Sequence, residues 1–148
     1  MVSIVLPCYN EAENIPYIYR ELQLTLNDTP GHEIIFADDG SRDHTFREIR
    51  HLAGTDPRVR GIRLSRNFGH QAALLAGLRE ARGDTVIMMD ADGQHPAALV
   101  PALLDKQAEG YDIVNTRRVT SSDTRWFKRV TSRWFYRFAN FLSEVPIE

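Results

Sequence analysis

Short apolar runs alternate with longer amphipathic ones along this chain. Val2–Leu6 is a β-rich apolar run ended by Pro7. Glu11 to about Leu26 follows, with Ile15, Ile18, Tyr19, Leu22 and Leu26 at helical spacing. Glu33–Ala37 predicts a second strand, stopped by Asp38-Asp39-Gly40-Ser41. A helix from about Asp43 to Ala53 then places Phe46, Ile49, Leu52 and Ala53 on one side. Val59–Leu64 predicts the third strand and Gly69–Arg82 the third helix. After the turn Gly83-Asp84, Thr85–Met89 is a fourth, almost wholly apolar strand. Pro96 suits the first turn of a fourth helix running to about Glu109, and Tyr111–Val114 predicts a fifth strand. Alternating strands and helices, with strands this apolar, imply an α/β fold: a mainly parallel sheet with helices on both faces.

The last stretch has a different pattern. From Trp126 to Leu142, Phe127, Val130, Trp134, Phe138 and Phe141 recur at helical spacing, with Arg125, Lys128, Arg129, Arg133 and Arg137 on the other side. This predicts an amphipathic helix with a basic polar face and an aromatic apolar face, suited to a membrane surface. Packing on the sheet or a homo-oligomer contact is the alternative use of such a helix. Charge follows the same division. Residues 1–116 carry a net −6, whereas 117–137 hold seven Arg or Lys against one acid.

With 148 residues and a net charge of −2, the chain fits one core-forming domain and has no overall nucleic-acid signature. The predicted division is 1–118 for that domain and 119–148 for the basic helix and the start of a further region. Cys8 is the single cysteine, so no intrachain disulfide forms and a reducing compartment is expected. No secretory-signal pattern opens the sequence, and no apolar run approaches the roughly 20 residues of a membrane span. A soluble or peripheral chain is therefore expected.

In open α/β sheets, ligands bind beyond the carboxyl ends of the strands. Those ends here read Pro7-Cys8-Tyr9-Asn10-Glu11, Asp38-Asp39-Gly40-Ser41, Arg66-Asn67-Phe68-Gly69-His70, Asp90-Ala91-Asp92-Gly93-Gln94 and Thr116-Arg117-Arg118. Asp90 and Asp92, one residue apart after the most apolar strand, can converge on one Mg²⁺ or Mn²⁺ whose remaining positions go to water and phosphate oxygens. The plainer use of such a pair is a solvated turn capping the next helix. His95, beside the pair, is a further candidate ligand. An EF-hand is excluded because its sixth and twelfth positions, counted from Asp90, hold His95 and Pro101. The glycine-rich signatures of Rossmann and P-loop sites are also missing. Cys8 has no matched His–Asp arrangement and is not read as a nucleophile.

Taken in order, Val5-Leu6-Pro7-Cys8-Tyr9-Asn10-Glu11, Asp38-Asp39-Gly40-Ser41, Asn67-Phe68-Gly69 and Asp90-Ala91-Asp92-Gly93-Gln94 resemble the family 2 glycosyltransferases of GT-A fold, over roughly residues 2–118. The longer strings Leu64–Gln71 and Asp90–Pro96 resemble the polyprenyl-phosphate sugar transferase branch. The resemblance implies an inverting transfer of a sugar from a nucleoside-diphosphate sugar, UDP-hexose favoured, to a polyprenyl phosphate. It implies that Pro7, Tyr9 and Asp39 line the base and ribose pocket and that Glu11 and Gly69 serve the nucleotide, with Asp90 beside them. It further implies Asp90, Asp92 and Gln94 at a Mg²⁺ or Mn²⁺ ion, and Asp92, Arg117 and Arg118 at the reacting diphosphate. Transfer to a saccharide by the same fold, or a non-catalytic nucleotide-binding or membrane-docking module, are the alternatives. Family members usually continue past this length, those of this branch often into transmembrane helices. A truncated domain at the cytoplasmic face of a membrane, binding donor without turning it over, is therefore expected.

Overall fold

The computed structural model describes residues 1–27, 29 and 31–117. The chain divides into two units, Met1–Ile113 and Val114–Glu148, and the sheet belongs to the first. Its elements are β1 (Val2–Cys8), α1 (Asn14–Thr25), β2 (His32–Asp38), α2 (Thr45–Thr55), β3 (Val59–Arg63), α3 (His70–Glu80) and β4 (Thr85–Met88). A 3₁₀ turn at Ala97–Leu99 leads into α4 (Val100–Ala108).

The four strands are parallel in the order β3-β2-β1-β4. The chain winds outward from β1 through β2 to β3, then returns to place β4 on the other side of β1. That reversal opens a crevice between the carboxyl ends of β1 and β4, where ligands of open α/β sheets bind.

Side-chain parity assigns the two faces. Ile4 lies level with Ile34 and Ile87, and these join Leu6, Phe36 and Val59 in a core with Ile15, Ile18 and Leu22 of α1 and Ile49 of α2. The opposite parity, Val5 and Ala37, faces α3. A Cβ built at Gly77 of that helix would lie 2.4 Å from Val5 Cγ1, so glycine lets α3 settle directly on the sheet. All seven residues of β2 are buried, as expected of a strand covered on both faces. Each fully buried Ile or Leu contributes about 1.5–3 kcal/mol.

Three elements depart from the sequence pattern. Helix α1 starts at Asn14, not Glu11, which puts Pro16 in the first turn, where its missing N–H costs no hydrogen bond. The fourth helix is split into the 3₁₀ turn and α4, with Pro101 in the first turn of α4. The expected fifth strand is absent: residues 111–114 make no described strand pairing, and Tyr111 and Ile113 are 56% and 79% exposed. The amphipathic segment 126–142 lies outside the described residues, as does Arg118. Among the described residues, no helix is long and apolar enough to cross a membrane.

Candidate functional site

The loops at the carboxyl end of the sheet brace one another. Asn10 takes a left-handed backbone, φ 57°, and donates its N–H to Ser41 Oγ at 2.9 Å, while its Oδ1 accepts the Arg42 amide hydrogen at 3.0 Å. The Glu11 N–H donates to Thr45 Oγ1 at 2.8 Å. These bonds fix the β1–α1 loop against the β2–α2 loop and so fix where Tyr9 and Glu11 stand. Asp39, almost fully buried, accepts the Phe68 and Gly69 amide hydrogens, each at 2.8 Å. The third loop is thereby fastened to the end of β2. Gly69 has φ 98°, a backbone region that side chains other than glycine rarely adopt, and it opens directly into α3 at His70.

After β4, the chain folds back on itself. Gly93 has φ 74°, the Gln94 N–H donates to Asp92 Oδ1 at 2.9 Å, and the Asp90 N–H donates to His95 Nδ1 at 3.2 Å. Asp92 thus uses one oxygen to make a turn, as its plainer reading predicts. The same turn brings Asp90, Asp92 and His95 together, with ligand atoms all within 4.8 Å of one another. Two carboxylates and an imidazole at that spacing suit Mn²⁺, or Mg²⁺ with a harder oxygen set. His70 Nε2 lies 3.7 Å from Asp90 Oδ1, facing the cluster from the start of α3.

These loops enclose a cavity of about 310 Å³ in the β1/β4 crevice. Of the residues singled out from the sequence, Pro7, Tyr9, Glu11, Asp39, Gly69, Asp90 and Asp92 all line it. Gln94 is exposed and is not among the lining residues. Arg117, also exposed, belongs to the second unit. Ala73, one turn into α3, is a lining residue that the sequence did not signal, since a small apolar residue reads as ordinary core. Cys8 reaches the lining as well, yet burial and then the neighbouring Asp38 push its thiol far above the usual range, which makes it inert as a nucleophile.

The lining includes four carboxylates, Glu11, Asp39, Asp90 and Asp92, with no Lys or Arg. Such a site repels a bare diphosphate and attracts a divalent cation, which a diphosphate could then share.

The chain is 40% identical over 148 residues to the bactoprenol glucosyl transferase of Shigella phage SfV, covering 99% of this chain and 48% of that protein. It is 37% identical over 146 residues to the Bacillus subtilis (strain 168) glycosyltransferase YkcC, covering 98% and 45%. The chain thus spans about half the length of these relatives. Among solved structures, the mannosyltransferase PcManGT of Pyrobaculum calidifontis, in complex with GDP-Man and Mn²⁺, matches with a TM-score of 0.60 at 30% identity, over 68% of this chain and 30% of that one. The fold implied by the four motifs is therefore present. The model of the family described as glycosyl transferase family 2 matches residues 3–146, and the chain belongs to that family.

Proposed function

We propose that this chain is the donor-binding part of an inverting hexosyltransferase that moves a sugar from a nucleoside-diphosphate sugar, UDP-hexose favoured, to a polyprenyl phosphate. The observation that carries the reading is the crevice itself. Asp90 and Asp92 of the acidic cluster share the lining of one cavity at the β1/β4 switch with Pro7, Tyr9 and Asp39, which supports the reading. A nucleotide laid across it has its base at the β1 side and its diphosphate at the acidic cluster. The name of the phage relative supports the lipid-phosphate acceptor and the glucosyl donor.

The roles follow from the chemistry of the groups. Tyr9 offers a ring face and Pro7 an apolar wall to the base, while Asp39 is the acceptor for a ring N–H. Glu11 stands at the ribose. Asp90 and Asp92, with His95 or Gln94, hold the Mg²⁺ or Mn²⁺ ion. When bound, such an ion offsets the negative charge that builds on the departing diphosphate. The family resemblance alone assigns Arg117 and Arg118 to the same charge.

A polyprenyl phosphate has its second pKa near 6, so it is largely dianionic at neutral pH and attacks without a strong general base. One of its oxygens bonds to the anomeric carbon as the carbon–oxygen bond to the nucleoside diphosphate breaks, inverting that centre. The resulting placement is at the cytoplasmic face of a membrane, with the segment 126–142 at the bilayer surface.

Calorimetry with UDP, UDP-glucose and GDP-mannose, with and without Mn²⁺, tests the donor site. Mn²⁺-dependent binding of one nucleotide, lost in Asp92→Ala, is the expected result. Binding indifferent to Mn²⁺ and to Asp92→Ala would refute the assignment. Transfer from the chosen donor to a polyprenyl phosphate by the full-length protein then tests the acceptor.

A further inference from the structure

Away from the crevice, α2 and the edge strand β3 form a second concavity of about 510 Å³, lined in part by Arg47, Arg50, His51 and Arg63. The one acid in its lining is Asp43, whose carboxylate already accepts from the Thr45 hydroxyl, the Thr45 amide and the Ala12 amide. Arg63 is anchored. Its guanidinium lies 5.2 Å over the Phe46 ring and donates to the Ser41 carbonyl at 3.1 Å, and its Nε is 3.4 Å from Asp38 Oδ2. Arg47 pairs with its neighbour Glu48 at 3.2 Å. Arg50 and His51 are exposed, and neither has an ion-pair partner among the described residues.

This basic groove belongs to an acidic body. Three of the eleven Lys and Arg residues between 1 and 116 line it, in a stretch whose net charge is −6. An anionic bilayer repels such a body in most orientations and attracts it basic side first, so the asymmetry decides which way round it lands. Guanidinium groups also match phosphate geometry with paired donors. Arg63 ends β3 at its carboxyl end, the same end of the sheet at which the crevice opens.

We propose that the α2–β3 groove docks on the headgroups of anionic phospholipids and brings the rim of the crevice beside the bilayer. The proposal rests on the lipid-phosphate reading above and adds to it a contact made by the folded domain itself.

The test is sedimentation with vesicles of phosphatidylcholine alone and of phosphatidylcholine mixed with phosphatidylglycerol, neither containing polyprenyl phosphate. The double variant Arg47→Gln/Arg50→Gln is compared with Arg20→Gln/Arg79→Gln, which removes the same charge from α1 and α3. All four side chains are exposed, so both variants fold, and unfolding curves verify that. Wild type binds the phosphatidylglycerol vesicles. The α2 double variant weakens that binding by about tenfold, while the control stays within about twofold. The proposal is overturned by equal weakening of both variants, by wild-type binding of the α2 variant, or by no vesicle binding of the wild type. Retention on heparin without vesicle binding would assign the groove to a polyanion and overturn it as well. Because the readout is neither donor binding nor transfer, its failure leaves the proposed enzyme activity to be judged separately.

Discussion

Asp39 Oδ2 accepts the amide hydrogen of Gly69 at 2.8 Å, across 30 residues of sequence. The other oxygen accepts the neighbouring Phe68 amide at the same distance, so Asp39, just past β2, holds the last two residues of the loop before α3. Gly40 completes the grip. Its φ is +67°, and a Cβ there would lie 2.5 Å from the Arg66 carbonyl carbon, so the two loops touch backbone to backbone. A residue assigned to the base pocket is therefore also what positions the neighbouring loop.

Asp39→Ala removes both acceptors and leaves two partly buried N–H groups without them. The expected loss is about 2–4 kcal/mol in urea unfolding, together with loss of nucleotide binding. Asp39→Asn keeps one oxygen acceptor and should lose roughly half as much stability. An unfolding midpoint unchanged in Asp39→Ala would show that the loop holds itself.

Gly77→Ala tests how closely α3 sits on the sheet. The added methyl meets Val5 Cγ1 at 2.4 Å and Ala37 Cβ at 3.5 Å, and Val5 is fully buried with no room to retreat. Overpacking of this kind costs about 1–3 kcal/mol, more than the helix propensity of alanine returns. Equal or greater stability of the variant would mean that α3 can lift away from the sheet freely.

Much of this was legible in the sequence, because the strands announce themselves. Val2–Leu6 and Glu33–Ala37 are apolar on both parities, and that pattern belongs to a sheet covered on both faces. The crevice residues were legible because they follow those strands directly. What the sequence hid were long-range bonds between unremarkable polar residues. Ser41 and Thr45 read as turn and helix-start residues, yet they hold Asn10 and Glu11 in place. Glu33 reads only as the polar start of a strand, yet it is buried and accepts from Ser3 Oγ and the Arg82 amide, each at 2.7 Å. The false fifth strand arose in the opposite way. Tyr111–Val114 has strand-forming residues, but a strand also needs a paired edge, and local pattern carries no information about that.

Asp56 gives the fold an acid-sensitive point. It is nearly buried and accepts hydrogen bonds from Tyr19, Gln23 and the Arg58 guanidinium and amide, tying α1 to the turn before β3. The Arg58 guanidinium is the main cause that holds its carboxyl down at about 2. A carboxylate depressed on folding stabilises fully above its unfolded value, near 3.9, and that contribution disappears as pH falls through about 2. The contribution at neutral pH is about 2 kcal/mol. Asp56→Asn should therefore lie below wild type by about that much in urea unfolding at pH 7. The two should converge as pH drops from about 4 to 2. A difference constant over that range would locate the stabilisation in shape alone and not in the ionised pair.

The acidic cluster yields the most decisive comparison. Asp90, Asp92 and His95 place their ligand atoms within 4.8 Å of one another, whereas the family resemblance selects Gln94 as the third ligand. His95 has a second task, because its Nδ1 accepts the Asp90 amide hydrogen and closes the turn. Asp92→Ala is expected to abolish measurable Mn²⁺ binding in the absence of nucleotide. His95→Ala should weaken it about tenfold or more, through lost ligation, a loosened turn, or both. His95→Asn separates these two effects: an amide at that position can restore the turn but replaces the imidazole nitrogen with a weaker oxygen donor. Recovery in His95→Asn would make His95 a positioning residue and leave ligation to Gln94, which Gln94→Ala would then confirm by losing the metal. Wild-type Mn²⁺ affinity in all four variants would move the ion away from this turn and remove the physical basis for placing the diphosphate there.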